Sequence, residues 1–325
     1  MSEFDLIARI QARVHARAQA RAAGRDDVIL GIGDDAALLS IPSGKQLVVA
    51  MDTLNVGVHF PAGTAPADIG WKALAVNLSD LAAMAATPAW CMLSLSLPQS
   101  DAAWVDGFLD GFLELAAQHQ VALVGGDTTR GPLSVCVTAH GLVEPRGALL
   151  RSSACTDDDV WVTGTLGDAA AALRQWQSGD AMNPALRARL DRPTPRIAAG
   201  LALAGIAHAG IDISDGLLAD LGHVCRASRV GAEIEVDALP SSAALLAAFD
   251  VAVRRELQAT GGDDYELCFT APKTARLAVD DAMRVCDVPA TRIGRITADI
   301  GKLVLRDAEG AAWSPPRAGY VHFER

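Results

Sequence analysis

Two apolar periodicities alternate along this chain. Phe4, Leu6, Ile7, Ile10 and Val14 make one narrow helical stripe, with Ser2 and Asp5 suited to its start and Gly24 to its stop. Strands are expected at 28–31 and 46–52, the second rich in Leu and Val. Residues 66–86 read as a helix, because Pro66 suits a first turn and Ile69, Ala73, Val76 and Leu81 recur at near-helical spacing. Residues 91–97 alternate as a strand does, and 101–118 read as a helix carrying Trp104, Phe108, Phe112 and Leu115. Strands at 121–124 and 134–143 follow. Pro145, Gly147 and the run Thr156-Asp157-Asp158-Asp159 then punctuate 144–158. Beyond it, strands are expected at 159–163, 210–213, 232–236, 266–270 and 292–297. Helices fit 168–177, 196–207, 216–228 and 274–286. The pattern predicts two α/β halves of similar size, with no short repeat.

Composition agrees with two cores. The chain has 325 residues, of which 50% are hydrophobic, and a single core of that size is unusual. The formal net charge of −11 argues against a nucleic-acid surface, which needs clustered Lys and Arg. It leaves ATP open, because bound metal ions reverse the local sign. The Arg-bearing start, Arg9 to Arg25, lacks the apolar core of a signal peptide, and no run approaches the ~20 apolar residues of a membrane span. Cys91, Cys136, Cys155, Cys225, Cys268 and Cys286 form no Cys-x-x-Cys pair and lie mostly in apolar segments. They read as buried reduced thiols, and the expected location is the cytoplasm.

The chemistry is carried by acids. Gly31-Ile32-Gly33-Asp34-Asp35, Asp52-Thr53, Asn77-Leu78-Ser79-Asp80, Gly125-Gly126-Asp127-Thr128-Thr129, Asp212-Ile213-Ser214-Asp215-Gly216 and Gly261-Gly262-Asp263-Asp264-Tyr265-Glu266 share one chemistry. Clustered carboxylates repel one another unless a cation sits among them. Hard oxygen donors select Mg²⁺ or Ca²⁺, and Mg²⁺ commonly comes with phosphate. The expectation is one converging, multi-Mg²⁺ nucleotide site. Asp52 is expected at a strand end, and the Gly125-Gly126-Asp127 motif just after a strand. Asp80, within an apolar helix, calls for either a metal or a salt bridge to Lys72. His59, taken by itself, reads as a structural histidine. Asp212 and Ser214 point to one side of an extended segment, while Ser214 or Asp215 can cap the helix that follows.

Other nucleotide grips fail. Gly31-Ile32-Gly33-Asp34-Asp35-Ala36 only loosely matches a dinucleotide fingerprint, and its acids would repel a pyrophosphate. Gly44-Lys45 and Gly301-Lys302 lack the P-loop continuation. No protein-kinase motif set or Ser/His/Asp arrangement stands out.

Together the motifs resemble the thiamine-monophosphate kinases. These belong to a superfamily of ATP-using enzymes that includes aminoimidazole ribonucleotide synthetase, selenophosphate synthetase and a hydrogenase-maturation protein. The resemblance runs from Phe4-Asp5-Leu6-Ile7 to Gly319-Tyr320-Val321-His322-Phe323. Residues 72–84, the segment from Gly261 to Leu267, and Arg192-Pro193-Thr194-Pro195-Arg196 are its most specific parts.

The resemblance implies an α/β (α+β) fold of the two-domain aminoimidazole ribonucleotide synthetase-like type, mixed sheets flanked by helices. Residues 1–148 would be an N-terminal ATP/Mg-binding and dimerisation domain, and 149–325 a C-terminal α/β domain. It implies several Mg²⁺, with ATP as co-substrate, and a homodimer. By the same resemblance Asp35, Asp52, Asp80, Asp127, Asp212 and Asp215 are metal ligands, with Asp212 the metal-assisting catalytic residue. Gly126, Asp127, Arg151 and Ser214 fall where the family holds ATP, and His59, Asp263 and Tyr320 where it holds thiamine phosphate. Four positions depart from the family. Ala50 and Met51 replace frequent hydroxyl residues, Ala85 replaces a usual glycine as an expected packing change, and Asp263 replaces a usual glutamate.

The implied reaction is phosphorylation of thiamine monophosphate to the diphosphate by ATP. A phosphate monoester is largely dianionic at neutral pH, so this acceptor needs charge neutralisation rather than a general base. Two alternatives are a sister ATP-dependent synthetase of the superfamily and a non-catalytic nucleotide or thiamine-phosphate sensor. No Cys or Lys precedes Gly31, which disfavours selenide chemistry.

Overall fold

The structure, a computed structural model, describes residues 3–20 and 25–315. Ser2, Gly24 and the terminal motif with Tyr320 lie outside them. The described residues form two compact units. The first reaches to Arg146 apart from Ala82–Ala85, and the second comprises those four residues and the chain from Gly147 onward.

In the first unit α1 (Glu3–Ala20) precedes a small antiparallel pair, β1 (Val28–Leu30) and β2 (Leu38–Leu39). β3 (Gln46–Asn55), β4 (Thr87–Leu97), β5 (Ala122–Arg130) and β6 (Ser134–Val143) make a four-stranded sheet in the order β3-β6-β4-β5. β4 and β5 are parallel and the other neighbours antiparallel. Period-two alternation splits this sheet into two faces. Val48, Leu54, Leu93, Leu95, Val135 and Val137 are buried on the face covered by α2 (Pro66–Ala83), whose Leu81 meets Gly141 of β6. The other face leaves Leu47, Val49, Met51 and Met92 exposed. Asp101 caps α3 (Ala102–Gln118), accepting the Ala103 and Trp104 amides at 2.9 and 3.1 Å. Ion pairs from Arg9 and Arg13 to Asp106 and Asp110 tie α1 to α3.

Two expectations about the first unit change. Asp52 lies inside β3, not at its end, and the Gly125-Gly126-Asp127 motif lies inside β5, not after it. β5 continues because parallel pairing with β4 satisfies its backbone through Arg130. Gly126 permits this: its φ is +155°, and a Cβ there would stand 1.8 Å from the Leu93 carbonyl oxygen.

Ala85 is a conformational departure rather than the expected packing change. It lies in the turn that closes α2, with φ +55°, and the Ala86 amide reaches back to the Leu81 carbonyl at 2.8 Å. A left-handed residue in this closing turn favours glycine. Ala85→Gly is therefore expected to stabilise the protein by about 1 kcal/mol, less strain outweighing a freer unfolded chain. Urea unfolding checks it, and a lowered midpoint would contradict this account of the turn.

The second unit is built on a seven-stranded mixed sheet. Its strands are β7 (Asp159–Thr163), β8 (Ala209–Asp212), β9 (Gly231–Glu235), β10 (Leu267–Ala271), β11 (Ala290–Thr297), β12 (Leu303–Arg306) and β13 (Ala312–Trp313). The order is β13-β12-β9-β11-β7-β10-β8, with only β12 and β9 parallel. The helices are α4 (Asp168–Ser178), α5 (Pro184–Asp191), α6 (Ile197–Leu203), α7 (Leu217–Ser228), α8 (Ala243–Ala248), α9 (Val251–Thr260) and α10 (Arg276–Val285). Leu217, Leu221 and Val224 of α7 pack with Val160, Ile211, Ile234 and Ile293 of the sheet. Leu186, Leu190, Leu245 and Leu257 join α4, α5, α8 and α9 in a second cluster. The apolar pattern carries no expectation of α5, α8, α9, β2, β12 or β13.

Arg276 donates to both oxygens of the buried Asp159 at 2.6 and 2.8 Å, and Arg292 lies 3.6 Å away. The Arg276 hydrogen bond, assisted by the charges of both arginines and opposed by burial, holds the Asp159 carboxyl below its ordinary range. A depressed carboxylate pKa stabilises the fold above the unfolded value and loses that contribution as pH falls through the folded value. Arg276→Ala should thus lower the thermal midpoint at neutral pH, and by less once pH drops below about 4. An equal loss at both pH values would assign the effect to packing.

Candidate active site

Within the first unit, α2 brings Asn77 against the backbone of Asp52. Asn77 of α2 is fully buried, and its Oδ1 accepts the Asp52 amide at 3.0 Å while its Nδ2 donates to the Ala73 carbonyl at 3.0 Å. Asp80 follows Asn77 by three residues on the same helix face. Lys72 is also buried, and its Nζ donates to the His59 carbonyl at 2.9 Å. The Nδ1 atom of His59 accepts the Asn55 amide at 3.0 Å, so in the neutral ring Nε2 carries the proton.

Asp35 and Asp127 are placed differently. Asp35 is exposed in the turn after Gly33, where its amide donates to Asp34 at 2.8 Å. Asp127 is exposed on β5 in register with Ser94, Cys136 and Thr53, one row from Asp52. Three strand spacings, roughly 14 Å, separate that edge of the sheet from β3. A cavity of about 410 Å³ opens beside it, lined by Leu97, Pro98, Ser100, Thr128, Thr129 and Arg130.

In the second unit the two acidic motifs form one hydrogen-bonded pair of segments. Asp212 closes β8 opposite Leu267, and only 4% of it is exposed. Beyond the ladder, the amides of Asp263 and Tyr265 donate to the carbonyls of Ser214 and Ile213 at 2.9 and 2.8 Å. Gly262 runs so close that a Cβ would stand 2.5 Å from the Ser214 carbonyl oxygen. Asp263 and Tyr265 both take positive φ, +68° and +49°, conformations that cost non-glycine residues energy. The Tyr265 hydroxyl donates to Asp263 at 3.2 Å.

A buried salt-bridge network holds this strained segment. Glu266 is 0% exposed and accepts from Arg196 at 2.6 and 2.5 Å, from Arg189 at 2.6 Å and from the Thr163 hydroxyl at 2.7 Å. The Arg192–Arg196 and Gly261–Leu267 motifs, far apart in the sequence, are therefore joined by an ion pair. Burial pushes the Asp264 carboxyl well above its ordinary range, although the Gly167 amide donates to both its oxygens at 3.0 and 2.8 Å.

Asp220 is not among the residues that the sequence motifs single out. One of its oxygens accepts the amides of Ser214, Asp215 and Gly216 at 3.0, 3.1 and 3.1 Å, which shapes the whole loop. Burial first, then the charges of Asp212 and Asp215, push this carboxyl up to about 7. An acid within the apolar stripe Leu217, Leu221, Val224 was the signal available in the sequence. Three carboxylates repelling one another at a desolvated strand end suit a hard cation, so the donor set fits Mg²⁺.

A basic group stands next to it. Arg226 on α7 bonds the His223 ring nitrogen at 3.0 Å. Burial, then the charges of Arg226 and Arg151, lower the His223 pKa against an opposing pull from Asp215. Arg151 is exposed, and its carbonyl accepts the Ser228 hydroxyl at 2.8 Å, tethering it to the end of α7.

Known proteins share this architecture throughout. Residues 33–143 match the N-terminal domain of AIR synthase related proteins, and 156–306 match their C-terminal domain. A thiamine-monophosphate kinase from Escherichia coli strain K12 is 47% identical over 99% of this chain and 98% of its own length. The chain belongs to the thiamine-monophosphate kinase family. The relative from Bacillus subtilis is 34% identical over the full length of both chains. The crystal structure of the kinase from Stenotrophomonas maltophilia K279a is 53% identical, with a TM-score of 0.86 over 93% of this chain and 97% of that one. AaThiL complexed with AMPPCP and TMP is 31% identical, with a TM-score of 0.76 over 95% and 96%. Hydrogenase maturation protein HypE in complex with ATP, at 21% identity and a TM-score of 0.74, shares the fold. The expected mixed sheets flanked by helices are those of this family.

Proposed function

We propose that the protein transfers the γ-phosphoryl group of ATP to thiamine monophosphate, giving thiamine diphosphate. The observation that carries this reading is full-length membership of the kinase family, joined to acid clusters whose geometry suits hard cations. Asp35, Asp52, Asp80 and Asp127 in the first unit and Asp212 and Asp215 in the second are the proposed Mg²⁺ ligands. Bound Mg²⁺ would neutralise charge where two polyanions meet.

The chain's own residues do the remaining work. Asp220 holds the amides of Ser214, Asp215 and Gly216 in one orientation, so the loop does not reorganise when ligand arrives. Gly126, Asp127, Arg151 and Ser214 are proposed ATP contacts, with Arg226 and His223 adding positive charge beside Arg151. His59, Asp263 and Tyr320 are the proposed contacts of thiamine phosphate. The acceptor phosphate is already deprotonated at neutral pH, so the reading assigns no general base.

A homodimer is part of this proposal. Asp127 lies on the sheet edge opposite β3 and, in register with Thr53, on the exposed face of the sheet. Val49, Met51 and Met92 leave an apolar sheet face exposed, and Met51 and Met92 both pair with Thr138. The departure from a hydroxyl residue at Met51 therefore enlarges the apolar face. No described helix is long and apolar enough to cross a membrane. All six cysteines are free, which supports placing the reaction in the cytoplasm. Burial holds for Cys91, Cys225 and Cys268. Cys136 and Cys286 are half-buried and Cys155 is exposed, because a loop rather than a strand carries it.

Incubation with ATP, Mg²⁺ and thiamine monophosphate, with free thiamine as a parallel acceptor, tests the reaction. Diphosphate from the monophosphate alone is the expected product, and ATP binding without turnover would favour a sensor. His59→Ala is expected to raise KM for thiamine monophosphate about tenfold and leave KM for ATP nearly unchanged. An equal rise for both substrates would contradict its assignment to the acceptor.

A further inference from the structure

We propose that Cys155, Asp158 and His208 form a binding site for a thiol-seeking divalent transition metal, zinc above all, that clasps two loops of the second unit. The thiol sulfur, a carboxylate oxygen and a ring nitrogen of these residues lie within 4.8 Å of one another. Asp158 immediately precedes β7 and His208 immediately precedes β8, so the fold brings together loops fifty residues apart in sequence. β8 ends at Asp212, which puts this cluster and the acidic loop at opposite ends of one strand, roughly 13 Å apart.

Two of the three donors are already fixed. Asp158 is 3% exposed, and its carboxylate accepts the Cys155 amide at 2.9 Å and the Thr270 hydroxyl at 3.2 Å. The Nδ1 atom of His208 lies 3.0 and 2.9 Å from its two oxygens. Donors bound about 2.0 Å from one zinc ion stand about 3 Å apart, so this nitrogen and oxygen already match two neighbouring corners. The third donor is free to turn: Cys155 is exposed and its sulfur makes only a long contact, 3.6 Å, to the Ser153 carbonyl. A modest rotation of one side chain closes the set.

The donor types decide the metal. Thiolate and imidazole select zinc and its neighbours, whereas Mg²⁺ takes oxygen donors and belongs with the aspartates described above. On binding, the thiol proton passes to solvent, and the proton between His208 Nδ1 and the carboxylate gives way to the ion as the neutral ring takes its proton on Nε2. Three protein donors leave one position for water. The expected consequence is stabilisation of the second unit without participation in phosphoryl transfer.

Titration of chelator-treated, reduced protein with Co²⁺ tests this, because cobalt reports thiolate ligation by its charge-transfer absorption. One equivalent should develop the band, and Zn²⁺ should remove it. Cys155→Ser should abolish the band, and His208→Gln should weaken cobalt binding at least about tenfold. Asp212→Asn should leave the band intact, which separates this site from the acidic loop. Zn²⁺ should raise the thermal midpoint of the wild type and not that of Cys155→Ser. No band in the wild type, or an undiminished band in Cys155→Ser, overturns the proposal. If Cys155→Ser folds poorly, His208→Gln serves in its place, since cobalt affinity equal to the wild type's would exclude this ligand set.

Discussion

Asp212→Asn is expected to lower kcat by about 100-fold or more, with little loss of stability. Its carboxylate ends β8, is almost wholly buried and adds to the repulsion that pushes Asp220 up to about 7. Such a group is costly in the protein alone and becomes favourable once a cation shares its charge. Asparagine keeps the shape and removes one anionic donor, so the proposed metal would be held less well where phosphoryl charge develops. The same change relieves Asp215 and Asp220 of a like charge, so the metal-free thermal midpoint should stay level or rise. Steady-state kinetics across a Mg²⁺ titration, with thermal unfolding of the metal-free protein, measures both. Unchanged kinetics would sink the metal assignment. A collapse of stability would make Asp212 a structural acid instead.

The largest expected stability effect lies away from the proposed ligands. Arg196→Ala should destabilise the protein by about 3–5 kcal/mol. Arg196 meets Glu266 through two hydrogen bonds, at 2.6 and 2.5 Å, where no solvent reaches the carboxylate. Removing the guanidinium leaves a buried charge shared by Arg189 and Thr163 alone. Pairing it with Glu266→Gln should recover part of the loss, because the uncompensated charge then disappears. Denaturant unfolding of both variants decides the matter. A loss below about 1 kcal/mol in Arg196→Ala would show that the pair does not anchor the segment. The functional side effect is equally specific. Glu266 anchors the strained stretch with Asp263 and Tyr265, so surviving Arg196→Ala protein should show a raised KM for thiamine monophosphate.

Much of the architecture was legible in the chain. The strands at 134–143 and 159–163 stand at their expected bounds, because alternation or a short β-rich run between turn residues leaves little else to choose. The helix at 101–118 was equally plain, since Phe108, Phe112 and Leu115 fall on one face and Asp101 caps it. The short helices were not. α5, α8 and α9 have 8, 6 and 10 residues, begin at Asn183, Ser242 and Asp250 caps, and persist because they pack on one another. An isolated helix of that length is marginal, so its pattern is faint.

The order of residues carries the types of the chemistry: hard oxygen donors in excess, no P-loop and no thiol or imidazole dyad among the acidic motifs. Which of them meet is set by the folded chain. It set Asn77 against Asp52 but put Asp127 on the other edge of the sheet. It also made Asp220 the holder of the Asp212–Gly216 loop and joined Arg196 to Glu266 across seventy residues. The reason is the range of the forces. Periodicity and capping act over a few neighbours and leave their mark on the order of residues. Strand pairing and buried ion pairs depend on which distant segments share one core, and that is written only in the folded arrangement.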